Sequence, residues 1–124
     1  MPDPTVLVVD DDPVIVRLLE ITFAMEDFAV LAAVDGVEGL EMATAKHPDV
    51  VVCDIMMPRL DGLDLVKALK AAPDTAHIPV VLLSAKAQIA DLAAGAEVGA
   101  AAYVTKPFEP FDLIDQVRAI LARE

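Results

Sequence analysis

Apolar positions along the chain fall into two textures. Short runs are apolar at nearly every position: VLVV from Val6, FAVLAAV from Phe28, VVVC from Val50, PVVLLS from Pro79 and AYVT from Ala102. Unbroken β-branched runs of this length read as parallel strands covered on both faces. Longer stretches of helical spacing lie between them. Ile15, Leu18, Leu19 and Thr22 are expected to share one face, Val37, Leu40 and Ala43 another, and Leu65, Val66 and Leu69 a third. The clearest face is Leu113, Ile114, Val117, Ile120 and Leu121. Gln88 to Val98 is a weaker, Ala-rich helical segment with Gly95 inside it. Five strands, each followed by one helix, predict an α/β fold of (βα)5 type with a parallel sheet.

Turn signals separate these elements at Asp12-Pro13, Asp35-Gly36, His47-Pro48-Asp49, Asp61-Gly62, Ala72-Pro73-Asp74 and Lys106-Pro107. The spacing leaves no long linker, so residues 1–124 are expected to form a single domain.

Composition narrows the class. Hydrophobic residues make up 56% of the chain and aromatic ones only 4%, so the core is expected to be aliphatic. Nine basic against 21 acidic side chains leave a net charge of −12. Such a surface repels nucleic acid and anionic membranes, which argues against direct binding to either. The lone Cys53, inside an apolar run, reads as a buried reduced thiol, and one cysteine allows no internal disulfide. No signal peptide and no run long enough to span a membrane is visible, so a cytoplasmic protein is expected.

Candidate chemistry follows from where the strands end. In an open parallel sheet, ligands bind beyond the carboxyl ends of the strands. Strand one runs into Asp10, Asp11 and Asp12, strand three ends at Asp54, strand four at Ser84, and strand five at Thr105 and Lys106. Strand two ends in Ala33-Val34 with nothing reactive, which fits an outer position. Clustered carboxylates repel one another unless a cation joins them, and few carboxylates with room for water suit Mg²⁺. A carboxylate between Mg²⁺ and Lys106 can attack a phosphoryl group whose oxygens those cations neutralise, with Ser84 donating a hydrogen bond. Asp12, ahead of Pro13, reads as a helix N-cap rather than a ligand. His47 and His77 have no ligand-spaced partner and read as surface residues.

The segments VLVVDDDP, VVVCDIMMPRLDG, VVLLSA and YVTKPF, in this order and each at a strand end, resemble the receiver domains of two-component response regulators from Val6 to about Leu121. The resemblance implies a doubly wound, flavodoxin-like sheet of order 2-1-3-4-5. It implies that Asp54 is the phosphorylated nucleophile, that Asp10, Asp11 and the Met56 carbonyl join Asp54 around Mg²⁺, and that Lys106 pairs with Asp54 or its phosphate. Ser84 would be the switch hydroxyl and Tyr103 the aromatic that rotates when it moves. The Lys106–Pro107 peptide would be cis. A histidine kinase or histidine phosphotransfer protein would be the donor. A downstream protein would read the face made by the fourth helical segment, the fifth strand and the fifth helical segment. The chain would be a stoichiometric phosphoacceptor rather than a turnover enzyme, either stand-alone or excised from a longer regulator.

Two departures refine this. Family members often carry acids just before the fifth strand, where this chain has Gly99-Ala100-Ala101-Ala102. Arg118 resembles the basic half of a pair whose acidic half is missing, so a monomer or a weak phosphorylation-dependent dimer is expected. The Ala patch with Leu92 and Tyr103 would then be an apolar docking face. Met56 and Lys86, each two residues past a key group, would flank the path of an attacking water and slow hydrolysis. Two rival classes fare worse. An aspartyl phosphohydrolase dependent on Mg²⁺ usually has a second Asp where Met56 stands, and a flavodoxin-like cofactor binder needs a phosphate-cradling loop where three aspartates stand.

Overall fold

The computed structural model describes residues 3–57, 59–85 and 99–123. The apolar runs form five parallel strands: β1 (Thr5–Val9), β2 (Ala29–Ala33), β3 (Val50–Asp54), β4 (Val80–Ala85) and β5 (Ala102–Lys106). The described helices are α1 (Pro13–Met25), α2 (Gly36–Lys46), α3 (Gly62–Ala71) and α4 (Pro110–Ala122). Strand order is β2-β1-β3-β4-β5, as the resemblance implies. The expected helix from Gln88 to Val98 lies outside the described residues, as do Lys86 and Leu92.

Strand alternation splits the core into two layers. Val6, Val8, Val50, Val52, Val81, Leu83 and Val104 face α1 and α4, where they meet Leu19, Phe23, Leu113, Ile114 and Val117. Leu7, Val9, Val51, Cys53, Val80 and Leu82 face α2 and α3, where they meet Ala43, Leu65, Val66 and Leu69. Every residue of β3 is buried, as befits the central strand. β2 is half-exposed, which places the strand with no reactive terminus at the sheet edge.

The expected face of α1 needs correction. Val16, Leu19, Thr22 and Phe23 are the buried positions, whereas Leu18 is 41% exposed. This helix is apolar almost all round, so periodicity alone could not choose the side that meets the sheet. The inward face of α2 is likewise made of its smallest residues, Gly36, Gly39 and Ala43, with Leu40 only partly buried. A Cβ at Gly39 would sit 3.0 Å from a Val9 methyl, so the close approach of α2 to β1 selects glycine over bulk. The faces read for α3 and α4 stand, with Leu121 at the margin.

Side-chain caps begin each described helix. Asp12, Asp35, Asp61 and Glu109 each accept a hydrogen bond from an amide in the first turn. Asp12 is therefore the cap that its place before Pro13 predicts. The turn at Gly99 uses a positive φ of 91°, a conformation glycine adopts without penalty. His47 and His77 are both exposed, and Cys53 is a buried free thiol.

Candidate functional site

Parallel pairing sends every strand terminus to the same edge, and the register aligns them. Val9 lies beside Cys53, Asp54 beside Leu83, and Ala85 beside Lys106. Asp10, Asp54 and Lys106 continue the alternation of Val8, Val52 and Val104, so all three emerge on the α1–α4 side of the sheet.

Asp10 is 1% exposed. Its amide donates to the Ala33 carbonyl at 3.2 Å, and its Oδ1 accepts the Asp12 amide at 2.9 Å. Lys106 Nζ reaches both buried acids, lying 3.3 Å from Asp10 Oδ2 and 3.4 Å from Asp54 Oδ1. Asp11 is exposed, yet one oxygen each from Asp10, Asp11 and Asp54 lies within 4.8 Å of the others. The ammonium therefore bridges two carboxylates from within, while the third closes the group from the solvent side.

Among the described residues, the site is short of positive charge. Burial, followed by repulsion from Asp10, raises Asp54 above the ordinary carboxylate range. Burial also raises Asp10, against the opposing pull of the Asp12 amide and Lys106. For Lys106, burial favours the neutral amine, but the two carboxylates outweigh it and hold the ammonium above its usual value. Among the described residues, one ammonium thus serves two buried acids with a third carboxylate beside them. A donor set made only of oxygen atoms suits a hard divalent ion that keeps some of its water, so the group could hold a metal.

The β3–α3 loop forms the outer wall. Met56 is 61% exposed and, with Asp11, Met57 and Asp61, lines an open depression of about 380 Å³. Asp61 and Gly62 carry more than the turn signal read from the sequence. Asp61 caps α3 through the Asp64 amide, and the Gly62 amide donates to the Ile55 carbonyl at 2.9 Å. A Cβ on Gly62 would lie 2.6 Å from the Asp54 carbonyl oxygen, so α3 begins directly against the residue that ends β3. An Asp-Gly pair at the head of a helical pattern was the signal available for this.

Ser84 is buried in β4 and donates to the Ala85 carbonyl at 3.2 Å. It follows the phase of Leu82 and pairs with Thr105, so it leaves the sheet on the α2–α3 side rather than with Asp54. Tyr103 shares that side, and its hydroxyl is buried with no hydrogen-bond partner among the described residues. The Lys106–Pro107 peptide is cis. Arg118 donates to Glu26 Oε1 and to the Glu26 carbonyl, both at 3.0 Å, and lies 5.9 Å from the Phe28 ring centre. The basic group read as half of an intermolecular pair is thus engaged within the chain.

Residues 6–118 match the response regulator receiver domain family, and the chain belongs to it. It is 45% identical over 120 residues to the transcriptional regulatory protein PrrA of Mycobacterium tuberculosis, covering 97% of this chain and 51% of that protein. It is 40% identical over 120 residues to the DNA-binding dual master transcriptional regulator RpaA of Synechocystis sp., covering 97% and 50%. The chain therefore spans about half the length of these curated relatives. Among solved structures, it is similar to a putative response regulator from Chloroflexus aurantiacus, with TM-score 0.92, 37% identity and coverage of 97% and 98%. It is also similar to the chemotaxis protein CheY4 of Vibrio cholerae, with TM-score 0.88, 29% identity and coverage of 94% and 98%. The chain is a two-component signalling receiver by family and by fold. Among the described residues, no helix is long and apolar enough to cross a membrane.

Proposed function

We propose that this chain is a phosphoacceptor that takes a phosphoryl group onto Asp54 and reports it to a protein partner. The observation that carries this reading is Lys106, held between Asp54 and Asp10 beside a third carboxylate at the open edge of the sheet. An Asp54 oxygen attacks the phosphorus of a phosphohistidine. The new P–O bond forms as the P–N bond breaks, and the imidazole leaves. The Lys106 ammonium neutralises charge on the phosphoryl oxygens. Asp10, Asp11, Asp54 and the Met56 carbonyl are the groups assigned to Mg²⁺, which supplies further neutralisation of those oxygens when bound. The transfer is stoichiometric, so the chain is a substrate of its donor rather than a turnover enzyme.

Ser84 and Tyr103 are assigned the switch. A phosphoryl group on Asp54 gains a hydrogen bond only if the Ser84 hydroxyl turns from the Ala85 carbonyl toward it, and that gain biases a pre-existing equilibrium. The Tyr103 hydroxyl, buried with no hydrogen-bond partner among the described residues, is consistent with a side chain that has a second place to go. The output face is the one assigned to β5, α4 and the segment 88–98, the last of which lies outside the described residues. The donor is a histidine kinase or phosphotransfer protein in the cytoplasm. Exposed Val14, Leu18, Ile21 and Met25 line α1 from the site downward, which supports a protein donor meeting the site along that helix.

A second reading is favoured by the length of the relatives: the chain is the receiver portion of a DNA-binding regulator about twice as long. DNA contact would then belong to the remainder of that protein, consistent with the acidity of this portion.

Intact-mass analysis after incubation with a small phosphoramidate or acyl phosphate donor, with and without Mg²⁺, tests the central claim. A single phosphoryl adduct that needs Mg²⁺ and disappears in Asp54→Ala is the expected result. A folded protein that takes up no phosphoryl group under any of these conditions overturns it.

A further inference from the structure

The β3–α3 loop is anchored twice. At its base, the Gly62 amide binds the Ile55 carbonyl and Asp61 caps α3. At its apex, Arg59 donates to Asp35 Oδ2 at 2.9 Å, and the Leu60 carbonyl lies against Gly36 so closely that a side chain there would collide with it. Arg59 adopts a positive φ of 69°, unusual for a residue with a side chain. Asp35 is placed for both tasks. Its Oδ1 caps α2 through the Glu38 amide, which leaves Oδ2 for Arg59. That cap, with Arg59 assisting, holds its carboxyl below the usual range, so the pair stays charged. Met56 and Met57 lie between the two anchors and line the same depression as Asp11 and Asp61.

We infer that Arg59 and Asp35 are positioning residues for the carboxylate site: their pairing ties the loop to α2 and sets where the Met56 carbonyl stands relative to Asp11 and Asp54. The inference rests on the phosphoacceptor reading and assigns a function to a pairing that neither the motif around Arg59 nor the turn signal at Asp35-Gly36 disclosed. One wall of the site is then held by an element, α2, that contributes no group to it. Without the apex anchor the loop keeps its base, so the fold survives while the wall loosens.

Magnesium titration by calorimetry, with thermal unfolding in parallel, tests this. Arg59→Ala is expected to weaken Mg²⁺ binding by about two- to fivefold, the range an exposed ion pair can supply. Arg59→Lys should recover most of the loss, because one N–H···O contact suffices. Asp35→Asn keeps a capping oxygen while discarding the charge, and should match Arg59→Ala. The double variant should be no worse than either single one. Gly36→Ala, which pushes the Leu60 carbonyl away from α2, should weaken binding although both side chains of the ion pair are retained. An unsubstituted protein that takes up no Mg²⁺ defeats the phosphoacceptor reading and this inference together. Full Mg²⁺ affinity in Arg59→Ala and Gly36→Ala defeats the inference alone, as does a loss that Arg59→Lys does not repair.

Discussion

Gly62→Ala probes the joint between fold and site. The added Cβ would lie 2.6 Å from the Asp54 carbonyl oxygen and 2.9 Å from Ile55 Cα, both backbone atoms that cannot swing aside. Ordinary contact begins near 3.4 Å, so α3 and the end of β3 must part by about 0.8 Å. Overpacking of that kind costs about 1–3 kcal/mol. Restricting the unfolded chain returns about 0.4–1 kcal/mol, leaving a net loss of about 1.3 kcal/mol at the centre of the range and at most about 2.6 kcal/mol. For 124 residues the unfolding entropy is about 0.26 kcal/mol/K, so the midpoint should fall by about 5 °C and by no more than about 10 °C. Because the displaced atoms belong to Asp54 and Ile55, phosphoryl uptake should slow in the same variant. Gly39→Ala is the matched control. Its new Cβ meets the Val9 methyl groups at 3.0 and 3.1 Å, a side chain that can give rather than backbone, and it gains helix propensity. Thermal melts followed by circular dichroism, with adduct formation followed by intact mass, separate the two. A Gly62→Ala protein that melts within a degree of the parent and accepts phosphate at the parental rate would refute the packing argument.

Further expectations follow from the same geometry. Burial raises Asp54 and Asp10 above the ordinary value of 3.8, so in the metal-free protein their stabilising contribution is present below that value and is lost as pH rises through the folded values. Mg²⁺ favours the charged forms, so the increment it adds to the melting temperature should grow from about pH 4 to about pH 8; an increment that is flat or larger in acid would contradict this. Met56→Asn should speed loss of the phosphoryl group by about tenfold, or about 1.4 kcal/mol of barrier, as a polar side chain admits water where an exposed apolar one now stands. An unchanged decay rate would remove Met56 from that role. Arg118→Ala should cost about 1 kcal/mol by losing Glu26 and the Phe28 face, and part of that cost should vanish in high salt. If instead Arg118→Ala alters only self-association measured by sedimentation, the residue serves a partner and not the fold.

Much of the fold was legible because it rests on local periodicities. Runs such as Val50–Cys53 leave no solvent face and read as parallel strands covered on both faces, while Leu113, Ile114, Val117 and Ile120 leave only one inward side. The α1 face was not legible. Val14, Leu18, Ile21 and Met25 are as apolar as the buried residues, and only docking on β1 and β2 exposes them. The inward face of α2 escaped for the opposite reason, since Gly36 and Gly39 carry no hydrophobic signal and are chosen by how closely backbone approaches.

The site divides along the same line. Residue types at strand ends were enough to name Asp10, Asp11, Asp54, Ser84 and Lys106, because parallel pairing sends every terminus to one edge whatever the loops do. Which of them meet was decided by register and by the twofold alternation of strands. These put Lys106 between Asp10 and Asp54, and turn Ser84 and Tyr103 toward the other layer. The fastening of Arg59 and Leu60 to Asp35 and Gly36 belongs wholly to tertiary structure. Those partners lie 24 residues apart, Arg59 from Asp35, and nothing in either segment signals the other. Short-range pattern reports what a segment must bury, whereas contact between distant segments depends on how buried layers close against each other. The sequence by itself determined the strands and the acids at their ends; the closure of α2 and α3 on the sheet decided how the wall around those acids is held.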